Sequence, residues 1–175
     1  IFCIVLGQDR NYNNFQEGLS LERSGKIEEA IIIYKEILNN APDHQPSFFQ
    51  LKNIYYNRSK NKDGIEVVSK WMANKSTDLQ SMLLLSEFYF RDSNEREARK
   101  IWAQFEKGHL SSKSTYRMLF HTYAKHNQVK EMEELVKISR DKLNEPYLFS
   151  IDLANYFQAR QTFSKAVDEY ILLIT

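Results

Sequence analysis

Residues 11–44 read NYNNFQEGLSLERSGKIEEAIIIYKEILNNAPDH, and the rest of the chain repeats their pattern at a constant interval of 34 residues. With Asn11 as position 1, position 20 reads Ala30, Gly64, Ala98, Met132, Ala166, and position 24 reads Tyr34, Val68, Trp102, Val136, Tyr170. Position 11 reads Leu21, Tyr55, Tyr89, Tyr123, Phe157, while position 7, polar only in the first copy, reads Glu17, Leu51, Leu85, Leu119, Leu153. A fixed interval of this length predicts stacked units, none of which can bury its own apolar face alone.

Within a unit the apolar residues fall at helical spacing, as Phe48, Leu51 and Tyr55 and then Val67, Val68, Trp71 and Met72 show, so each unit is expected to be a pair of helices. Short polar segments join the helices of a pair: Ser24–Lys26, Lys60–Asp63, Asp92–Asn94, His126–Gln128 and Arg160–Thr162. Gly25 takes a left-handed conformation at no steric cost, and Asn127 tolerates one. Pro42 and Pro146 stop helices, and Asp78 and Ser112 are expected N-caps. Two helix axes come within about 8–10 Å only across short side chains, which is the reason for Ala30, Gly64, Ala98 and Ala166; the flexible thioether of Met132 is the large group most easily fitted there. The acidic pairs Glu28-Glu29 and Glu133-Glu134 are placed in the first turns of second helices, where they favour the positive end of the helix dipole.

Gly18, Leu21, Gly25, Ala30, Tyr34 and Pro42 resemble the tetratricopeptide repeat, a helix–turn–helix unit of 34 residues, and the resemblance runs from Asn11 to Thr175. It implies an all-α fold, a right-handed superhelical α-solenoid of about five repeats with boundaries 11–44, 45–78, 79–112, 113–146 and a truncated 147–175. The chain departs from the family at position 8, where a small residue is preferred and Lys52 and Phe120 stand, and at the closing proline, which only Pro42 supplies.

With 175 residues, 42% of them hydrophobic, five glycines and three prolines, the chain has material for one continuous core and no low-complexity linker. A formal charge of +1 argues against bulk attraction to nucleic acid or anionic lipid. Its distribution is uneven: 3 basic and 6 acidic residues in 11–44, but 6 and 3 in 45–78. Ile1 to Leu6 is apolar without interruption, and Val5-Leu6-Gly7 before Gln8 resembles the end of a secretory signal peptide. Residues 1–10 are accordingly read as a signal-peptide remnant with a short lead-in, the mature protein as exported to a bacterial periplasm without a membrane span, and the alternative as a cytoplasmic protein. Cys3, the one cysteine, would be removed with the leader, leaving no thiol or disulfide chemistry.

The residues offer little to catalysis. Among the four histidines, His121 and His126 are five apart, which points them to different faces, unlike the i, i+4 pair of a zinc helix. There is no serine in a glycine-flanked elbow and no glycine-rich phosphate loop. No metal, cofactor or enzymatic activity is expected. The family resemblance implies instead that positions 2, 5, 9, 12 and 13 of first helices line a concave groove, which would include Tyr12, Phe15, Glu87, Leu148 and Ile151. Its contact centre would be Phe49, Asn53, Tyr56, Phe90, Arg91, Arg117 and His121, with rings supplying area and amides and cations reaching a peptide backbone or carboxylate. The polar clamp by which some members grip a C-terminal carboxylate is missing, since Phe15, Leu19, Phe49 and Leu84 occupy its places. The expected function is a non-catalytic scaffold for a protein or peptide partner. The alternatives are a substrate-presenting region of a larger enzyme or secretion machine and an RNA-binding helical-repeat protein, although position 2 (Tyr12, Pro46, Gln80, Ser114, Leu148) carries no base-reading code. Alanine at Asn53 and Arg91 is expected to weaken capture of a partner without lowering stability.

Overall fold

The protein is described by a computed structural model covering the backbone of residues 2–75 and 78–174, with side chains from Arg10 onward within those ranges. The apolar stretch read as a leader therefore lies outside the described side chains. Among the described residues there are ten α-helices and no strand: α1 (Phe2–Arg23), α2 (Ile27–Asn40), α3 (Gln45–Asn57), α4 (Asn61–Asn74), α5 (Leu79–Arg91), α6 (Glu95–His109), α7 (Lys113–Lys125), α8 (Val129–Leu143), α9 (Ser150–Ala159) and α10 (Phe163–Ile171). No described helix is long and apolar enough to cross a membrane. The chain divides into two compact units, Ile1–Ala103 and Gln104–Thr175.

The second helix of each pair begins at Ile27, Asn61, Glu95, Val129 or Phe163, one every 34 residues, because the turn before it is built the same way each time. The residue at position 15 is left-handed in every copy: Gly25 (φ 77°), Ser59 (55°), Ser93 (61°), Asn127 (55°) and Gln161 (59°). Its N–H donates to the carbonyl three residues back at 3.0–3.3 Å, and the next N–H, of Lys26, Lys60, Asn94, Gln128 or Thr162, donates to the carbonyl of position 11 at 2.9 Å in all five turns. This is the paired Schellman closure, which satisfies two of the carbonyls that a helix end leaves open. It also corrects the expected loop Lys60–Asp63: the turn is Arg58–Lys60, and Asn61 to Asp63 already form the first turn of α4. Glu133 and Glu134 likewise lie one turn further into α8 than expected, where Glu131 is the acidic residue of the first turn. Glu133 instead pairs with Lys165 at 2.6 Å.

In the first unit the core is built from Ala30, Tyr34, Ile37, Phe48, Leu51, Tyr55, Val68, Trp71 and Phe88. Phe48 and Trp71 stack with centroids 4.2 Å apart and planes 4° off parallel. The small residues act as the sequence implies. A Cβ on Gly18 would stand 2.5 Å from the Tyr34 ring, and one on Gly64 would run into Phe88, so in each case an aromatic ring packs directly against bare backbone. In the second unit Leu119, Met132, Leu135, Val136, Leu153, Ala154 and Phe157 are buried, with Ala166 beside them.

Phe120, large where the repeat favours a small residue, alters the fifth pair. Its ring stacks on Phe149 at 5.2 Å and 9°, Phe149 turns left-handed with φ 63°, and α9 starts only at Ser150. Arg140 fastens that segment, donating through Nε to the Leu148 carbonyl (3.0 Å) and through Nη2 to Ser150 Oγ (2.8 Å) and Glu169 Oε2 (2.5 Å). Leu148 is consequently buried, at 5% exposure, and does not line an open face as expected.

The expected caps form. Asp78 accepts from Ser81 N–H at 3.1 Å, and Ser112 makes a capping box with Thr115. His44 adds a third, its Nδ1 accepting from Ser47 N–H at 3.3 Å. That acceptor exists only in the neutral ring, and burial lowers the His44 pKa below 6.5 in spite of Asp43 nearby. The unfolded chain therefore binds this proton more readily, so the contribution is complete above pH 6.5 and is lost as pH falls below it.

Three outcomes are expected. Asn at position 44 keeps a cap but cannot titrate, so the His44→Asn protein should lose less stability than wild type between pH 7 and pH 5, measured by denaturant unfolding at each pH. Gly64→Ala should lower stability by roughly 1–3 kcal/mol through overpacking on Phe88. Gly108→Ala, where a Cβ meets nothing within 4 Å, should raise it by about 0.5–1 kcal/mol; thermal melts of both variants check this.

Candidate partner-binding faces

In the first unit the expected residues sit on α3 and α5. Phe49 and Asn53 are exposed, one turn apart on α3, while Phe48, Leu51, Ile54 and Tyr55 between and beside them are buried. Phe49 retains 38% exposure and is covered on one side by Lys52, whose ammonium stands 4.2 Å from the ring centroid. Burial lowers the Lys52 pKa, against the opposing influence of Asp78. Lys52 occupies the position usually given to a small residue; its place three residues after Phe49 on one helix is the signal that sequence reading passed over.

Tyr56 and Arg91 come together. The Arg91 guanidinium lies 4.1 Å from the Tyr56 ring centroid, and the Tyr56 hydroxyl donates to Glu87 Oε1 at 3.3 Å. Arg91 Nη2 donates to Ser59 Oγ at 3.2 Å, and its carbonyl accepts from Asn61 Nδ2 at 3.0 Å. Arg91 thus ties α5 to the turn between α3 and α4. Glu87, expected on the open face, is buried at 8% exposure. Phe90 is turned toward α6, its ring 6.0 Å from that of Trp102, and Trp102 Nε1 donates to Ser86 Oγ at 2.8 Å. The structure therefore joins Phe49 and Asn53 along α3 and Tyr56 with Arg91 across two helices, while it gives Phe90 a packing role.

In the second unit Arg117 and His121 are exposed on α7, one turn apart. The Arg117 guanidinium stands 5.6 Å from the Phe149 centroid and 3.9 Å from Asp152. It borders a cavity of about 380 Å3 lined also by Lys113, Tyr147 and Ile151. His121 meets Phe120 edge-on at 5.6 Å, and His126 lies just past the end of α7. Among the described residues no group of three or more metal-ligating side chains converges.

Comparison with known proteins accords with this geometry. Residues 13–44 match the family model of the tetratricopeptide repeat. A tetratricopeptide repeat protein from Parabacteroides merdae superposes with a TM-score of 0.59 at 11% identity over 91% of this chain, which spans 62% of that protein. The MamA protein gives 0.58 at 15% identity, over 93% of this chain and 88% of its own. A thermophilic tetratricopeptide repeat protein from Thermus thermophilus gives 0.53 at 16%, over 92% and 88%. No curated protein matches the sequence. These findings show the tetratricopeptide-repeat pattern in residues 13–44, and that the chain shares the fold of tetratricopeptide-repeat proteins of known structure. Within this chain the repeat nearest the family pattern is the one of α1 and α2.

The Arg91 geometry alters one expectation. Arg91→Ala should lower stability by about 1 kcal/mol, losing the cation–π contact and the Ser59 bond, whereas Asn53→Ala should leave the melting temperature within error; paired calorimetric melts distinguish them.

Proposed function

We propose that the protein is a non-catalytic scaffold that holds an extended peptide or a partner's helix against α3 and α5 of its first unit. The observation that carries this reading is the exposed pair Phe49 and Asn53 beside a Tyr56 ring already held in place by Arg91. An anchored ring loses little conformational freedom when a ligand packs on it, so contact area there translates efficiently into affinity. Asn53 offers both a donor and acceptors to a peptide backbone, and Lys52 over Phe49 offers a cation to a nearby carboxylate. Arg117 and His121 on α7 form a separate exposed stretch suited to the same kind of partner.

The double variant Phe49→Ala, Asn53→Ala tests it. Full-length protein is immobilised, its partner is captured from cell extract and identified by mass spectrometry, and the capture is repeated with the variant. Yield should fall by about tenfold or more, since truncating two central contacts costs upward of about 1 kcal/mol each, with circular dichroism unchanged. Equal yield from a folded variant refutes this face as the site.

A further inference from the structure

On the flank of α3 that carries Phe48 and Leu51, helices α2 and α4 leave a cavity of about 160 Å3 that has no part in the face just described. Phe48, Leu51, Val67 and Trp71 form its bed, each at most 9% exposed. The bed is fixed, because Trp71 stacks on Phe48 and its Nε1 donates to Asp78 Oδ2 at 3.0 Å. The rim carries two cations and two carboxylates that already answer one another, Lys35 with Asp63 at 3.9 Å and Lys70 with Glu66 at 2.6 Å. Asn39 and Asn74 add amides at the mouth.

We propose that this cavity is a binding site for one neutral apolar side chain, of leucine, isoleucine or phenylalanine size, presented by a partner polypeptide. Volume sets the size: an apolar cavity of about 150 Å3 admits a single benzene ring. The balanced rim sets the charge, since a carboxylate or ammonium entering it meets as much repulsion as attraction and gives up its hydration. The rim amides favour a polypeptide over a free hydrocarbon, because they match the N–H and C=O groups that flank a peptide's side chain. The site is independent of the α3–α5 face, and each stands or falls without the other.

The test is nuclear magnetic resonance titration of the isotopically labelled full chain with N-acetyl-leucinamide, N-acetyl-lysinamide, N-acetyl-glutamic acid amide and benzene. The leucine probe should move the Trp71 indole resonance, assigned with Trp102→Phe, in a saturable way at millimolar concentration, and the charged probes about tenfold more weakly or not at all. Val67→Phe narrows the cavity from its wall and should abolish the shift while capture through Phe49 and Asn53 is retained. If that variant fails to fold, Lys70→Trp covers the mouth from a position whose side chain is 70% exposed and serves in its place. No saturable shift with the leucine probe, an equal shift in a folded closed variant, or equal binding of the charged probes overturns the proposal. Benzene binding without leucine binding overturns the polypeptide assignment and leaves a site for free small molecules.

Discussion

The interaction on which each helix pair depends is the pair of hydrogen bonds closing the turn at position 15. One residue reverses the sign of φ, and two N–H groups then reach back to carbonyls at the end of the first helix. This fixes the direction in which the chain leaves that helix, and so which face of the second helix meets the first. The side chain there is secondary, since Gly25, Ser59, Ser93, Asn127 and Gln161 all do it. A left-handed L residue costs about 1–2 kcal/mol, and four of the five turns accept that cost because the closed turn orients a whole buried face.

Once the turn is set, close approach decides what packs. Tyr34 lies on Gly18 and Phe88 on Gly64, ring against backbone. Where position 8 is no longer the glycine of the first copy, the structure adjusts locally: Lys52 runs out along Phe48 and Phe49, Ser86 accepts the Trp102 indole, and Phe120 recruits Phe149 and delays α9. These three departures explain why the copies differ in surface while their second helices keep a common interval.

The same adjustments shape the faces proposed to meet a partner. Lys52 is placed over Phe49, and Arg91 is held over Tyr56, where the preceding pair's turn offers it Ser59. Cation–π ties of this kind on a protein surface each contribute up to about 1 kcal/mol to stability. They fix side chains in the arrangement a partner would meet, and fixed side chains are what binding rewards. The cavity beside Trp71 arises in the same way, as the space left where α2 and α4 flank α3 without filling it.

Helix pairs, their interval, the small residues at position 20 and the caps at Asp78 and Ser112 were all legible along the chain, because each is a local preference written in residues near one another. The turn before α4 was misplaced, since Ser59 carries no left-handed signature of the kind Gly25 does. Counting positions put Leu148 and Glu87 on an open face, whereas their burial depends on Phe120 with Arg140 and on Tyr56, partners distant in the chain or on another helix. Phe49 and Asn53 could be read as exposed from helical spacing; the grip of Arg91 on Tyr56 and the cavity between α2 and α4 could not. Those features belong to the folded molecule, because they rest on distances between side chains that no interval along the chain encodes.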